Sequence, residues 1–171
     1  MEALENILTR VSVKKYKSDP VPKDLIEKIV EAGTHAPTGR NLQAPIILAV
    51  TNKEIRDELS KANASVMGME GDPFYGAPVV LVVLAKKEVR TRVYDGSLVM
   101  QNMMLAAHAL GLGSCWIHRA KETFEMPKWQ EWLKEIGVDE EYEGIGNCIV
   151  GYAEVTPEVK PRKENWVYYI D

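Results

Sequence analysis

The chain has 171 residues, a formal net charge of -4 and a sequence pI of about 5.5. Its length suits a single domain with a sizeable core, and its 46% hydrophobic and 27% charged residues are those of an ordinary globular protein. The acidic balance argues against a general nucleic-acid binder, which needs surplus Lys and Arg to meet phosphate.

Taken in order, Leu4, Ile7 and Leu8 predict a short amphipathic opening helix. The start, MEALENILTR, has no basic segment followed by an apolar stretch, so no signal peptide is expected. A basic stretch follows over residues 10–17. Pro22 is well placed in the first turn of a second helix, whose apolar face is Leu25, Ile26, Ile29 and Val30. Pro37 and Gly39 break it. Residues 45–51 predict a buried strand, and residues 53–62 a helix through Ile55, Leu59 and Ala62. Asn63-Ala64-Ser65 matches a glycosylation sequon, which carries no meaning without a secretory signal. Residues 65–76 predict a Gly-containing loop, and residues 77–85 a fully buried strand. That apolar run is far short of the ~20 residues a membrane helix needs. Residues 94–110 predict a long helix ended by Gly111-Leu112-Gly113. A strand over 114–117, a helix over 127–136 and a strand over 145–152 follow, and the tail Trp166 to Ile170 is β-prone.

The long helix has almost no polar face: Leu98, Val99, Met100, Met103, Met104, Leu105 and Ala107 all lie on it. A helix apolar all round must be buried on all sides, and a second subunit is expected to supply part of that burial. The irregular alternation of short strands and helices predicts an α+β chain, with helices on both faces of a sheet of mixed direction. One domain over residues 1–171 and a cytoplasmic location are expected.

Several chemistries are excluded by pattern. Cys115 and Cys148 sit in apolar runs without metal spacing, and His35, His108 and His118 share none, so no metal site is expected. Gly111-Leu-Gly113 follows a helix and precedes a strand, the reverse of a dinucleotide fingerprint. No P-loop, HExxH or GxSxG is present. Two basic clusters remain. Arg10, Ser12 and Lys14 alternate, so an extended backbone would point all three to one side, where two cations and a hydroxyl suit a phosphate. The second is Lys160-Pro161-Arg162-Lys163. Taken alone, either is more often a solvated patch.

Across nearly the whole chain the sequence resembles the FMN-dependent nitroreductases. An R-x-S-x-[RK] motif followed by an aromatic falls on Arg10, Ser12, Lys14 and Tyr16. A VP-x-x-x-[IL] helix starts at Val21, and AP-[ST]-G-x-N-x-Q falls on residues 36–43. An APV strand begins at Ala77, and a D-to-QN-to-LGLGSCWI run extends from Asp95 to Ile117. Val150-Gly151-Tyr152 and Lys160-Pro161-Arg162 close the series.

The resemblance implies a three-layer α/β/α fold around a mixed, mostly antiparallel sheet, in a homodimer that exchanges C-terminal strands and shares its active sites. It implies that Arg10, Val11, Ser12, Val13 and Lys14 hold the FMN phosphate and ribityl chain, with Lys160 and Arg162 reaching the same phosphate. Pro37, Thr38, Gly39 and Asn41 would come from the partner subunit, and Ile117, His118 and Arg119 would pass the ring near N5. Met67, Met69, Phe74 and Tyr75 would form a substrate-side loop. The implied activity is ping-pong transfer from NAD(P)H to a small electron-poor acceptor of nitroaromatic, quinone or enone type. The cofactor carries that chemistry and no protein catalytic residue is needed. The family also includes deiodinases and enone reductases, and a flavin-binding protein without turnover is the alternative of another class. In one place the chain departs from the pattern. Larger nitroreductases carry an Asn and a Lys where this chain has residues 67–72, which leaves Arg162, His118 and Arg119 as candidates to face N1.

Overall fold

The computed structural model describes residues 1–170. Its frame is a four-stranded sheet in the order β1-β2-β4-β3, with β1 at Pro45–Val50, β2 at Val79–Lys86, β3 at Gly113–Ile117 and β4 at Tyr142–Gly151. Every pair of named strands is antiparallel, in keeping with the mostly antiparallel sheet expected. The chain leaves β1 at Val50 and re-enters beside it, with Val80 paired to Val50, which forces β2 to run the other way. The parallel component among the described residues is one isolated bridge, Ser12 to Ser114.

β2 lies at the centre, and its alternating side chains feed two cores. Val80, Val82 and Leu84 join Leu59, Phe74, Phe124 and Trp129 on one face. Val79, Leu81 and Val83 join Ile26, Ile29, Met100 and Met103 on the other. Helices α3 (Lys53–Val66), α5 (Ala120–Glu125) and α6 (Pro127–Glu135) cover the first face, and α2 (Lys23–Thr34) and α4 (Arg92–Ala109) the second. These are the expected three layers. Because both faces are covered, β2 is a continuous apolar run rather than an alternating one. β4 bulges at Ile145, since Val83 faces Gly146 while Leu84 faces Gly144. A Cβ at Gly144 would overlap the Ala120 backbone, so this glycine lets α5 lie directly on the strand.

Three elements are only partly covered within the single chain. α4 is not buried all round: Val93, Tyr94 and Leu98 are exposed, while Val99, Met100, Met103, Met104 and Ala107 are buried. The opening helix α1 (Ala3–Thr9) buries no residue. It is held by Asn6 Nδ2 donating to the Leu105 carbonyl at 3.1 Å and by Thr9 Oγ1 lying 2.9 Å from His108 Nε2. Leu4 and Leu8 stay exposed. The tail forms no strand, and Trp166 to Ile170 is exposed. A β-prone segment needs a neighbour for its backbone hydrogen bonds, and none of the described residues supplies one.

Candidate functional site

The segment after α1 runs beside β3. Val13 N–H donates to the Ser114 carbonyl at 3.0 Å, and the Val13 side chain is buried against Gly113. Tyr16 is buried beneath it and donates its hydroxyl to the Val13 carbonyl at 2.8 Å. Burial pushes the Tyr16 hydroxyl far above its ordinary value, so it remains a donor. With Val13 turned inward, Arg10, Ser12 and Lys14 fall on the opposite side. All three act on the Cys115 thiol. Burial pushes that thiol up, while a Ser12 hydrogen bond and the Lys14 and Arg10 charges pull it back. Val11 is half-buried and Val13 lies in the core, so Val13 has only backbone to offer a ligand.

A cleft of about 530 Å³ opens at this point. Ser12, Lys14 and the run Cys115 to Arg119 form one side, and Met67, Met69 and Tyr75 form the other. Lys14 Nζ bridges the sides, lying 5.8 Å over the Tyr75 ring. Nearby, Arg10 Nη1 and Ser114 Oγ are buried without a hydrogen-bond partner among the described residues. Such groups cost about 1–3 kcal/mol each, so they mark a place that suits an added acceptor.

Phe74 is not part of the cleft wall. It is fully buried in the core under the Arg56 guanidinium, 5.5 Å from its ring. The reason is the bond network that holds its loop. Arg56 Nη2 donates to Asp72 at 2.6 Å and Arg56 Nε to the Ala77 carbonyl at 3.0 Å. Asp72 also accepts from the Ser60 hydroxyl and from the Phe74 and Gly76 amides. Burial pushes the Asp72 carboxyl up, but these donors outweigh it and hold the carboxyl below the usual carboxylate range. Met67, Met69 and Tyr75 stay exposed above this base.

Sequence reasoning missed Asn63 and Asn147, each 1% exposed. Asn63 Nδ2 donates to the His118 carbonyl at 2.7 Å, and its Oδ1 accepts from Arg119 Nε at 3.1 Å. Asn147 Nδ2 donates to the Ile117 carbonyl at 3.2 Å and the His118 carbonyl at 3.3 Å. Arg119 has φ 72°, a left-handed conformation rare for a residue with a side chain. The available signal was periodicity: Arg56, Leu59, Ser60 and Asn63 fall on one helical face, which makes Asn63 a polar residue at a core-facing position.

The remaining candidates are not brought to this cleft by the one chain. Gly39 lines a separate hollow with Val89, Arg90 and Thr91. Its N–H donates to Asp95 Oδ1 at 3.0 Å, and Thr91 Oγ1 donates to Asp95 Oδ2 at 2.8 Å, so the buried Asp95 ties the 36–43 loop to α4. Arg40, Asn41 and Gln43 have φ of 55°, 54° and 49°, a density of strain that marks functional segments more often than plain connections. Thr38 lines a further pocket with Ala36 and Val99, and Pro37 and Asn41 are exposed. Lys160 and Arg162 lie on the exposed tail, where Arg162 Nη2 donates to the Lys160 carbonyl at 3.0 Å. Among the described residues no cluster of His, Cys, Asp or Glu could hold a metal ion, and no helix is long and apolar enough to cross a membrane.

Comparison with known proteins gives a consistent result. The family model described as the nitroreductase family matches residues 7–71 and 65–152. A relative from Methanothermobacter thermautotrophicus, whose name places it with NADH dehydrogenase/NAD(P)H nitroreductases, is 32% identical over 120 residues. That match covers 68% of this chain and 60% of the relative, so the chain spans about 60% of that relative's length. A solved nitroreductase with bound FMN from Bacteroides fragilis superposes with a TM-score of 0.88 at 27% identity, covering 100% of both chains. Another with bound FMN, from Desulfitobacterium hafniense, gives 0.88 at 26% identity over 98% of this chain and 97% of that one.

Proposed function

The chain belongs to the nitroreductase family, and on that premise we propose that it is an FMN-dependent NAD(P)H oxidoreductase acting on a small electron-poor acceptor of nitroaromatic, quinone or enone type. The observation that carries the reading is the placement of Ser12 and Lys14 on the wall of a cleft, with Arg10 near enough for its charge to act on the Cys115 thiol in that wall. These residues fit a phosphate, which accepts charge-assisted hydrogen bonds on several oxygens. When bound there, FMN supplies the redox chemistry, taking electrons from NAD(P)H and passing them to the acceptor in a ping-pong sequence.

The chain's own residues bind and orient. Arg10, Ser12 and Lys14 hold the phosphate end. Ile117, His118 and Arg119 present the backbone that meets the reactive edge. His118 and Arg119 line the cleft of their own chain and are the side chains this chain offers beside the ring there. Met67, Met69 and Tyr75 offer apolar contact to the acceptor.

Residues 36–43 and the tail serve the second site of a homodimer. Support comes from their distance from the cleft of their own chain and from the exposed apolar side chains of α1, α4 and the tail. One domain spans the chain, and the protein works in the cytoplasm. The experiment is steady-state kinetics with NADH and NADPH at several fixed acceptor concentrations. Double-reciprocal plots should give parallel lines, and alanine at Met67 and Met69 should change acceptor rates more than nicotinamide rates. Converging lines would sink the ping-pong sequence, and equal slowing of both half-reactions would remove the loop from acceptor choice.

A further inference from the structure

We propose that Asn63 and Asn147 are positioning residues that together aim the Arg119 backbone amide into the cleft; the inference rests on the flavin reading above. Both asparagines are buried and reach the same carbonyl from different elements, Asn63 from the last turn of α3 and Asn147 from β4. The His118 carbonyl is thereby drawn inward by two side-chain amides. The peptide that follows is trans, as are all described peptides, so its N–H points away from its C=O. With the carbonyl facing two buried asparagines, the Arg119 N–H turns the opposite way, toward the open space that His118 and Arg119 line, this cleft and the adjoining hollow beside Lys121 and Glu143. That N–H makes no hydrogen bond to any described residue.

Arg119 also keeps a left-handed backbone, which needs surroundings that enforce it. Asn63 provides them a second time, because its Oδ1 accepts from Arg119 Nε. One amide side chain therefore fixes both the carbonyl before the turn and the guanidinium after it. A donor so fixed is pre-organised toward whatever ring atom lies opposite, with no reorganisation at the moment of reaction. An N–H facing a flavin ring nitrogen supports the form with a lone pair there, the oxidised form. Loosening it weakens oxidised FMN relative to reduced FMN and raises the midpoint potential.

The test uses the full chain loaded with FMN, comparing the parent with Asn63→Ala, Asn147→Ala and the double variant. The expected result is oxidised FMN bound about tenfold more weakly than by the parent and reduced FMN bound within about threefold, since the phosphate end is untouched. The affinity ratio between oxidised and reduced FMN should shift about tenfold, which for a two-electron couple is ~30 mV upward. Because both asparagines act through one carbonyl, the double variant should shift by less than the sum of the singles. A merely structural role would lower the melting temperature and leave the potential alone. If Asn63→Ala does not fold, Asn147→Ala leaves the Asn63 bonds in place and gives the same reading. Unchanged potentials in the folded variants would overturn the proposal alone. A parent protein that binds no FMN would overturn the flavin reading and this proposal with it.

Discussion

Arg10 is half-buried, with Nη1 buried and without a partner among the described residues. A buried donor left unpaired destabilises the protein until an acceptor arrives, so the residue is better explained by a ligand than by folding. Arg10→Ala should weaken FMN binding while leaving the melting temperature close to that of the parent. A charge-assisted hydrogen bond is worth roughly 1.5–3 kcal/mol, or about ten- to more than a hundredfold in affinity. Fluorescence titration of FMN reads it, and unaltered affinity would remove Arg10 from the phosphate site. Of the candidate residues, those legible in the sequence were the ones whose chemistry is carried by short spacing. Ser12 and Lys14 reach the cleft because alternation holds in an extended segment. Asn63 was not legible, because its partners His118 and Arg119 are 55 and 56 residues away in the chain. Its sequon match, given no meaning in the sequence, has none in the structure either, since a side chain 1% exposed offers nothing to a glycosylating enzyme. Phe74 was misplaced for a related reason. The loop it belongs to is pinned from α3, and that pin is a tertiary contact.

At the scale of elements, the loop after α3 combines an exposed rim with a fixed base. Arg56, Ser60 and two backbone amides converge on Asp72. The Asp72 carboxyl is held below its ordinary value, so its contribution is fully present above the unfolded value of about 3.9 and is lost as pH falls through the lower folded value. Amide exchange in residues 72–76, corrected for intrinsic rates, should keep constant protection from neutral pH down to about 5 and lose it below the ordinary Asp range. Asp72→Ala should show low protection throughout. Protection that declines instead between pH 8 and 6 would point to another group. Element existence was largely legible. β2 is a run of seven buried residues, and α2 and α4 announce themselves by apolar spacing. α5 was not legible, for it has six residues, three of them buried, too few for a period to show. α3 runs to Val66, past the predicted end at residue 62, and its extra turn buries Asn63 and Ala64, Asn63 continuing the face of Arg56, Leu59 and Ser60.

At the scale of the whole molecule, the chain leaves Leu4, Leu8, Tyr94, Leu98 and the tail from Trp166 to Ile170 exposed. Large apolar surface of this kind marks an interaction face, and a two-fold dimer would cover it while repeating the site. Mixing two inactive variants, Arg10→Ala and an inactivating change at Asn41, separates the arrangements. If the 36–43 loop serves the partner, a mixed dimer holds one intact site and one doubly damaged site. Random re-pairing makes about half the dimers mixed, so about a quarter of sites recover. No recovery, with mixed dimers shown to form, would place the loop in its own subunit's site. The central claim is that the cleft holds FMN and that a nicotinamide reduces it there. The most direct measurement is the absorbance of the purified, FMN-loaded protein under anaerobic titration with NADH and with NADPH. The account predicts a yellow protein that at least one of them bleaches, and whose colour an electron-poor acceptor restores. A yellow protein that neither nicotinamide bleaches would contradict it and leave a flavin-binding module in its place.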